Sequence, residues 1–147
     1  MPRLLIRFGV SKSEYEGDPK SKGNPLPFSV LVADDSSDFR RLLRIELELA
    51  GHTLAGEACD GFEAVARAVA LQPDIVIMDV DMPGMDGVAA TRAIKNAAPK
   101  TVVLGFTSHP EGDTLTAMRA AGAEATFDKM ALTDMIDALD ATSALSS

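Results

Sequence analysis

Cysteine is nearly absent from this sequence. Cys59 is the single one in 147 residues, so no disulfide can form within the chain, and a reducing cytoplasm is the expected setting. No apolar run approaches the roughly 20 residues that a membrane-spanning helix needs. The opening residues MPRLLIRFGVSKSE hold two arginines but only a brief apolar piece and no small-residue cleavage site, so they do not read as a signal peptide. Basic residues are in short supply too: 14 Lys and Arg stand against 22 Asp and Glu, a formal net charge of -8. Nucleic acid and anionic membranes draw chiefly on Lys and Arg, so neither is expected as a partner. Past the first 27 residues, no internal repeat or low-complexity tract is apparent.

What is present suits one globular domain with a single core: 46% of residues are hydrophobic and 24% charged. Composition changes near residue 27. Residues 1–27 carry Arg3, Arg7, Lys12, Lys20 and Lys22 against Glu14, Glu16 and Asp18, a net of +2, which leaves -10 for the remainder. The piece SEYEGDPKSKGNPLP is rich in Gly, Pro, Ser and charge and has no apolar period. A flexible extension over 1–27, a folded domain over 28–145 and a tail at 146–147 are therefore expected.

Within the domain, short apolar runs alternate with amphipathic stretches. FSVLVA, TLAGEA, DIVIMD, TVVLGFT and ATFD read as strands. The first helix should bury Phe39, Leu42, Leu43 and Leu47 and turn Arg40, Arg41, Arg44 and Glu48 away. A capping box at Asp60-Gly-Phe-Glu63 opens the second, whose buried face is expected at Phe62, Val65, Ala66 and Val69, with Pro73 as its stop. Asp86 reads as the N-cap of a helix from about Gly87 to Asn96. Another helix lies around Leu115 and Met118, and the last directs Leu132, Met135, Ile136 and Leu139 inward. Cys59 is expected to be a small buried residue, and Met82 and Met85 to pack a loop. Five strands alternating with five helices call for an α/β fold, a doubly wound parallel sheet covered on both faces.

In such sheets, ligands sit beyond the carboxyl ends of the strands, where strand order reverses. Asp34 and Asp35 follow the first strand, Asp79 closes the third, Thr107 and Ser108 close the fourth, and Lys129 follows the fifth. In the flavodoxin-like order 2-1-3-4-5, strands one and three are neighbours, and the three carboxylates converge. Two like charges about 4 Å apart repel by roughly 4 kcal/mol at an effective dielectric near 20. A hard divalent cation, Mg2+ or Mn2+, relieves that repulsion and favours such oxygen donors together with a phosphate oxygen. With Lys129 and the Thr107 hydroxyl opposite, the pocket suits an incoming phosphoryl group, and Asp79 is the candidate nucleophile.

VLVADDS, DIVIMDVDMPGMDG, VVLGFTS and AGAEATFDK, in this order and spacing, resemble the receiver domain of two-component response regulators over nearly all of residues 28–145. The resemblance implies that Asp79 is the phosphoacceptor and that Asp35 ligates the metal directly, with Asp34 assisting through water. It further implies that the backbone carbonyl of Asp81 is a ligand, Thr107 is the switch hydroxyl and Lys129 pairs with the phosphate. A sensor histidine kinase or histidine phosphotransfer protein would supply the phosphoryl group. A downstream protein target or output domain would read the face of the fourth helix, fifth strand and fifth helix, which can also form a homodimer. A receiver catalyses nothing but its own phosphoryl transfer and slow autodephosphorylation.

Three departures limit what the resemblance carries over. Thr126 stands where an aromatic switch residue is usual, and the neighbouring Phe127 should face the other side of the sheet. Met130 replaces the common proline after Lys129, so a cis X–Pro bond is unavailable there and a looser loop is expected. Asp81 and His109 occupy the two positions that in this family tune phosphoryl lifetime. Two alternatives compete with a phosphorylated receiver. One is a haloacid-dehalogenase-like phosphatase using Asp79 and Asp81, though its DxD would lie on the third strand rather than the first, with Asp34 and Asp35 left idle. The other is an unphosphorylated interaction scaffold. After the fifth helix the sequence shows no room for an output domain, which fits a stand-alone receiver or a trimmed larger regulator equally.

Overall fold

A computed structural model of the chain describes residues 27–146, with side chains described up to Thr142. The expected extension over 1–27 and tail at 146–147 therefore lie outside the described residues, apart from Pro27 and Ser146. Strands β1 (Ser29–Ala33), β2 (Thr53–Ala58), β3 (Ile75–Asp79), β4 (Val102–Thr107) and β5 (Ala125–Asp128) alternate with helices α1 (Ser37–Leu49), α2 (Gly61–Leu71), α3 (Gly87–Ala97), α4 (Asp113–Ala121) and α5 (Leu132–Ser146). All strand pairs are parallel, in the order β2-β1-β3-β4-β5. This is the doubly wound α/β architecture expected from the sequence.

Burial explains the strand patterns. Every residue of β3 and β4 is buried, because helices cover both faces of the sheet centre, so IVIMD and VVLGFT read as continuous apolar runs rather than alternations. β2 lies at the edge and buries Ala58 alone, which accounts for its weaker signal. On one face, Leu43 and Leu47 of α1 join Met135, Ile136 and Leu139 of α5 over Val30, Val32, Ile75 and Phe106. On the other, Ala64 and Ala68 of α2, Ala90 and Ile94 of α3 and Met118 of α4 close over Leu31, Val76, Met78 and Val103. Side chains of Ser36, Asp60 and Asp86 accept hydrogen bonds from Phe39, Glu63 and Ala89 amides and cap α1, α2 and α3. Asp86 is thus the N-cap that its place before Gly87 suggested.

Several side chains sit differently from expectation. Phe62, Ala66 and Val69 of α2 face solvent and Val65 is half-buried; Gly61, Ala64 and Ala68 form the seat instead. The cause is proximity. A Cβ on Gly61 would lie 2.2 Å from the Met85 carbonyl oxygen, so only the smallest residues let α2 pack this close. Leu42 is exposed while Leu43 and Leu47 are buried, so the buried stripe of α1 is narrower than its apolar residues suggested. Cys59 is exposed, because it lies just past the last paired residue of β2, in the turn before Asp60. Its Sγ is 3.3 Å from Glu63 Oε2, and that hydrogen bond, before any other cause, raises the thiol pKa. Arg40, expected to turn away, is half-buried and pairs with Glu57 at 3.2 Å.

Candidate functional site

Strand register brings the polar strand ends to one level. Ala33 pairs with Met78, Asp79 with Phe106 and Thr107 with Asp128. The next residues out, Asp34 and Lys129, therefore flank Asp79 and Thr107 along one edge of the sheet. Asp34 and Asp79 are 1% and 2% exposed and Thr107 is buried, whereas Asp35 faces solvent. The loop after Asp79 is held close by Gly87, whose amide donates to the Val80 carbonyl at 2.9 Å. A Cβ there would meet the Asp79 carbonyl oxygen at 2.2 Å, so α3 can start this near the pocket only on a glycine.

Lys129 joins the two buried carboxylates. Its Nζ lies 2.9 Å from Asp34 Oδ2 and 3.2 Å from Asp79 Oδ1. It also stands 4.7 Å from the centroid of the Phe39 ring, which is tilted against Phe106. Burial works against the ammonium charge, but the hydrogen bonds and charges of Asp34 and Asp79 outweigh it and raise the Lys129 pKa. The lysine therefore stays cationic throughout the physiological range.

One cation does not balance this pocket. One oxygen from each of Asp34, Asp35 and Asp79 lies within 4.8 Å of the others. Burial, reinforced by the charge of Asp34, pushes the Asp79 carboxyl up from 3.8 to about 7, against the pull of Lys129 and of the Asp81 amide, which donates to Asp79 Oδ1 at 3.2 Å. Asp34 is steadied by the Ser36 amide, which donates to its Oδ1 at 2.8 Å. Three clustered hard oxygen donors, one of them at the solvent boundary, fit a divalent cation of the magnesium or manganese kind.

A second, more open group adjoins the first. Thr107 Oγ1 donates to Asp81 Oδ2 at 3.3 Å and accepts from the His109 amide at 3.0 Å. His109 Nδ1 lies 3.9 Å from the same Asp81 oxygen, and both side chains are mostly exposed. Asp81 thus directs its carboxylate toward Thr107 and its amide toward Asp79. Ser108 is exposed, and no described contact draws it into the pocket. Thr126 lies over Gly105 together with Met118 on the α4 side, while Phe127 packs on the face shared by α1 and α5. The opposite facing expected of these two neighbours is what the strand produces. Residues Lys129–Ala131 form a 3-10 turn, and Asp128 Oδ1 accepts from the Met130 amide at 2.9 Å.

Sequence reasoning missed two supports. Phe39 was counted as core but flanks the ammonium of Lys129. Arg40 was counted as solvent-facing, yet its Nη1 donates to the Asp34 carbonyl at 2.7 Å while its Nε holds Glu57. The one signal available was their spacing: both sit on the first turn after Asp34-Asp35, where a helix start points back at the preceding strand end.

The response regulator receiver domain family matches residues 30–140. The chain belongs to that family. Among curated relatives, this receiver is 47% identical over 107 residues to protein-glutamate methylesterase/protein-glutamine glutaminase 4 of Myxococcus xanthus, covering 70% of this chain and 30% of the relative. It is 41% identical over 90 residues to a protein of the same kind from Hahella chejuensis, covering 61% and 26%. The chain thus spans about a quarter to a third of these relatives' length. Among solved structures, it resembles the response regulator domain of Thermotoga maritima CheB, with TM-score 0.68, 31% identity and coverage of 77% and 89%. The receiver domain of NarL from Mycobacterium tuberculosis gives TM-score 0.73, 32% identity and coverage of 78% and 94%. The CheX-CheY-BeF3-Mg+2 complex from Borrelia burgdorferi gives 0.71, 25%, and 86% and 97%. The chain is a receiver domain of two-component signalling, homologous to CheB receivers.

Proposed function

We propose that this receiver takes a phosphoryl group on Asp79 from a histidine kinase or phosphotransfer protein, in a reaction dependent on magnesium or manganese. The carrying observation is the bridge of Lys129 to both Asp34 and Asp79 beside three carboxylates crowded within 4.8 Å. A carboxylate oxygen of Asp79 attacks phosphorus in line, the bond from phosphorus to the donor's imidazole nitrogen breaks, and that nitrogen takes a proton from solvent. Asp34, Asp35 and Asp79, with the Asp81 carbonyl, are the groups to hold the cation. When bound, the cation supplies positive charge to the oxygens of the transferring phosphoryl group and favours the ionised, nucleophilic form of Asp79. Lys129 and the Thr107 hydroxyl are placed to receive phosphoryl oxygens. Thr107 reaches them by giving up its bond to Asp81. A solved neighbour that carries BeF3 and Mg2+ supports this reading.

Asp81 and His109 adjoin Thr107 with mostly exposed side chains, and we assign them to the lifetime of the acyl phosphate. The output is a change in the face of α4, β5 and α5, read by a downstream protein or an attached domain. Full switching from 1:99 to 99:1 needs about 5.5 kcal/mol of differential interaction. With Thr126 offering no ring to bury, the switch is partial. The phosphatase alternative needed Asp81 as an acid facing Asp79, but its carboxylate turns to Thr107 and the group beside Asp79 is Asp34.

The test is intact mass after incubation with acetyl phosphate and magnesium. The native chain gains one phosphoryl group, while Asp79→Asn gains none. A native chain that gains nothing, and shows no spectral change with beryllofluoride, would leave the scaffold reading in place.

A further inference from the structure

Asp35 is the least supported member of the carboxylate cluster. Asp34 and Asp79 are buried and hydrogen-bonded, whereas Asp35 is exposed and its side chain has no hydrogen-bond or ionic partner among the described residues. One of its oxygens nevertheless lies within 4.8 Å of oxygens of the other two. An exposed side chain keeps such a place only as well as its own backbone is held.

The peptide entering Asp34 is fixed to the edge strand, because the Asp34 amide donates to the Ala58 carbonyl at 3.0 Å. The peptide leaving it, which joins Asp34 to Asp35, lies beyond Ala33, the last paired residue of β1. Its carbonyl is the one that accepts from Arg40 Nη1 at 2.7 Å. Arg40 is itself braced. Its Nε donates to Glu57 Oε1 on β2 at 3.2 Å, and the other oxygen of Glu57 is 3.6 Å from Arg44 Nη1, one turn further along α1. The Arg40 side chain is only 18% exposed, so water competes little for these bonds. A guanidinium is planar and carries its donors in a fixed fork, so one fastened at Nε cannot swing away at Nη1. The clamp runs from β2 through Arg40 to the carbonyl whose plane sets the direction of Asp35.

Given cation-dependent phosphorylation as proposed above, on which this step rests, we infer that Arg40 is a positioning residue of the cation site: clamped on Glu57, it fixes the Asp34–Asp35 peptide and so holds the exposed Asp35 carboxylate beside Asp34 and Asp79. The charge of Arg40 works in the opposite sense. Like charges repel, so deleting Arg40 as a mere charge would tighten cation binding, whereas deleting it as a clamp weakens it.

The experiment measures Mn2+ binding to the full chain at about pH 8, above the Asp79 midpoint, from the paramagnetic resonance signal of the free ion. Losing a group that orients a metal ligand weakens binding ten- to a hundredfold, and Arg40→Met should bind about tenfold more weakly than the native chain. Arg40→Lys keeps the charge but cannot reach both acceptors at once, and should lose most of the same affinity. Arg41→Met removes an equal charge from the exposed neighbouring position and should bind as the native chain does, or slightly tighter. Without metal, the 15N order parameter of the Asp35 amide should fall from about 0.85 in the native chain to below about 0.6 in Arg40→Met. Unchanged or tighter Mn2+ binding in Arg40→Met, or an Asp35 amide as rigid as the native one, would overturn the inference. So would equal weakening in Arg41→Met, which would assign the effect to the helix surface rather than to the clamp. A native chain that binds no Mn2+ would overturn the cation-dependent reading, and the inference with it.

Discussion

The two ends of the sheet treat polar residues in opposite ways. At the amino end they close loops and are paired. Asp74 accepts from the Ser29 amide at 2.9 Å, the Thr101 hydroxyl donates to the Pro73 carbonyl at 3.1 Å, and buried His52 links the Phe28 amide to Asp140. At the carboxyl end, Asp34, Asp35 and Asp79 accumulate like charge with Lys129 as the cation between the two buried carboxylates. The first arrangement is what a fold needs to satisfy its backbone. The second costs the fold stability, since burial and the charge of Asp34 raise the Asp79 carboxyl against the pull of Lys129. Crowding of three carboxylates around a single lysine, rather than polarity or burial as such, separates the carboxyl end from the amino one.

That contrast can be broken from either side. Lys129→Gln keeps a hydrogen-bond donor, on a side chain one bond shorter, but removes the charge, and should slow phosphorylation of Asp79 by about a hundredfold, a loss comparable to deleting one donor from an oxyanion site. Rates of mass gain with acetyl phosphate give the answer. At the other end, His52→Ala removes the acceptor of the Phe28 amide, the ring stack on Phe28 and the tie to Asp140. It should cost about 2–3 kcal/mol in urea unfolding while leaving the extent of phosphorylation unchanged.

Asp79→Asn should do the reverse and stabilise. In the folded chain Asp79 holds its proton up to about pH 7, whereas the unfolded chain releases it near 3.8. The folded state therefore binds more protons between those values, and native stability falls as pH rises through that window. Asparagine has nothing to release. Without divalent cation, the variant should match the native chain near pH 4 and exceed it by about 2 kcal/mol at pH 8, allowing for solvent screening at the open mouth. Urea midpoints across that range decide it. The smallest effect is expected from Asp86→Ala, where loss of the α3 cap should cost about 1 kcal/mol and leave both ends chemically intact.

The fold was legible because strand and helix periods never conflict from residue 28 onward, and because the buried centre of a parallel sheet leaves unbroken apolar runs. The pocket was legible because strand ends are where such sheets bind ligands, so that order 2-1-3-4-5 alone brings Asp34 to Asp79. Helix faces were harder. α2 is apolar at its largest residues, but contact with the loop at Met85 selects Gly61, with Ala64 and Ala68 the residues buried with it, and Phe62 is left over Gly84. Apolar size is a guide to burial only where the gap between elements is wide. Arg40 shows the matching error for polar groups: a long side chain on a half-exposed turn can bend back to a strand end, and no period reports that.

Burial and the charge of Asp34 hold Asp79 near neutrality, and a divalent cation should restore its charge. The most direct measurement is the carboxyl-carbon shift of Asp79 against pH by NMR, with and without magnesium. A midpoint near 7 is expected in the absence of cation, moving well downward at saturating magnesium. A midpoint in the ordinary aspartate range without cation, or one that magnesium leaves in place, would contradict it.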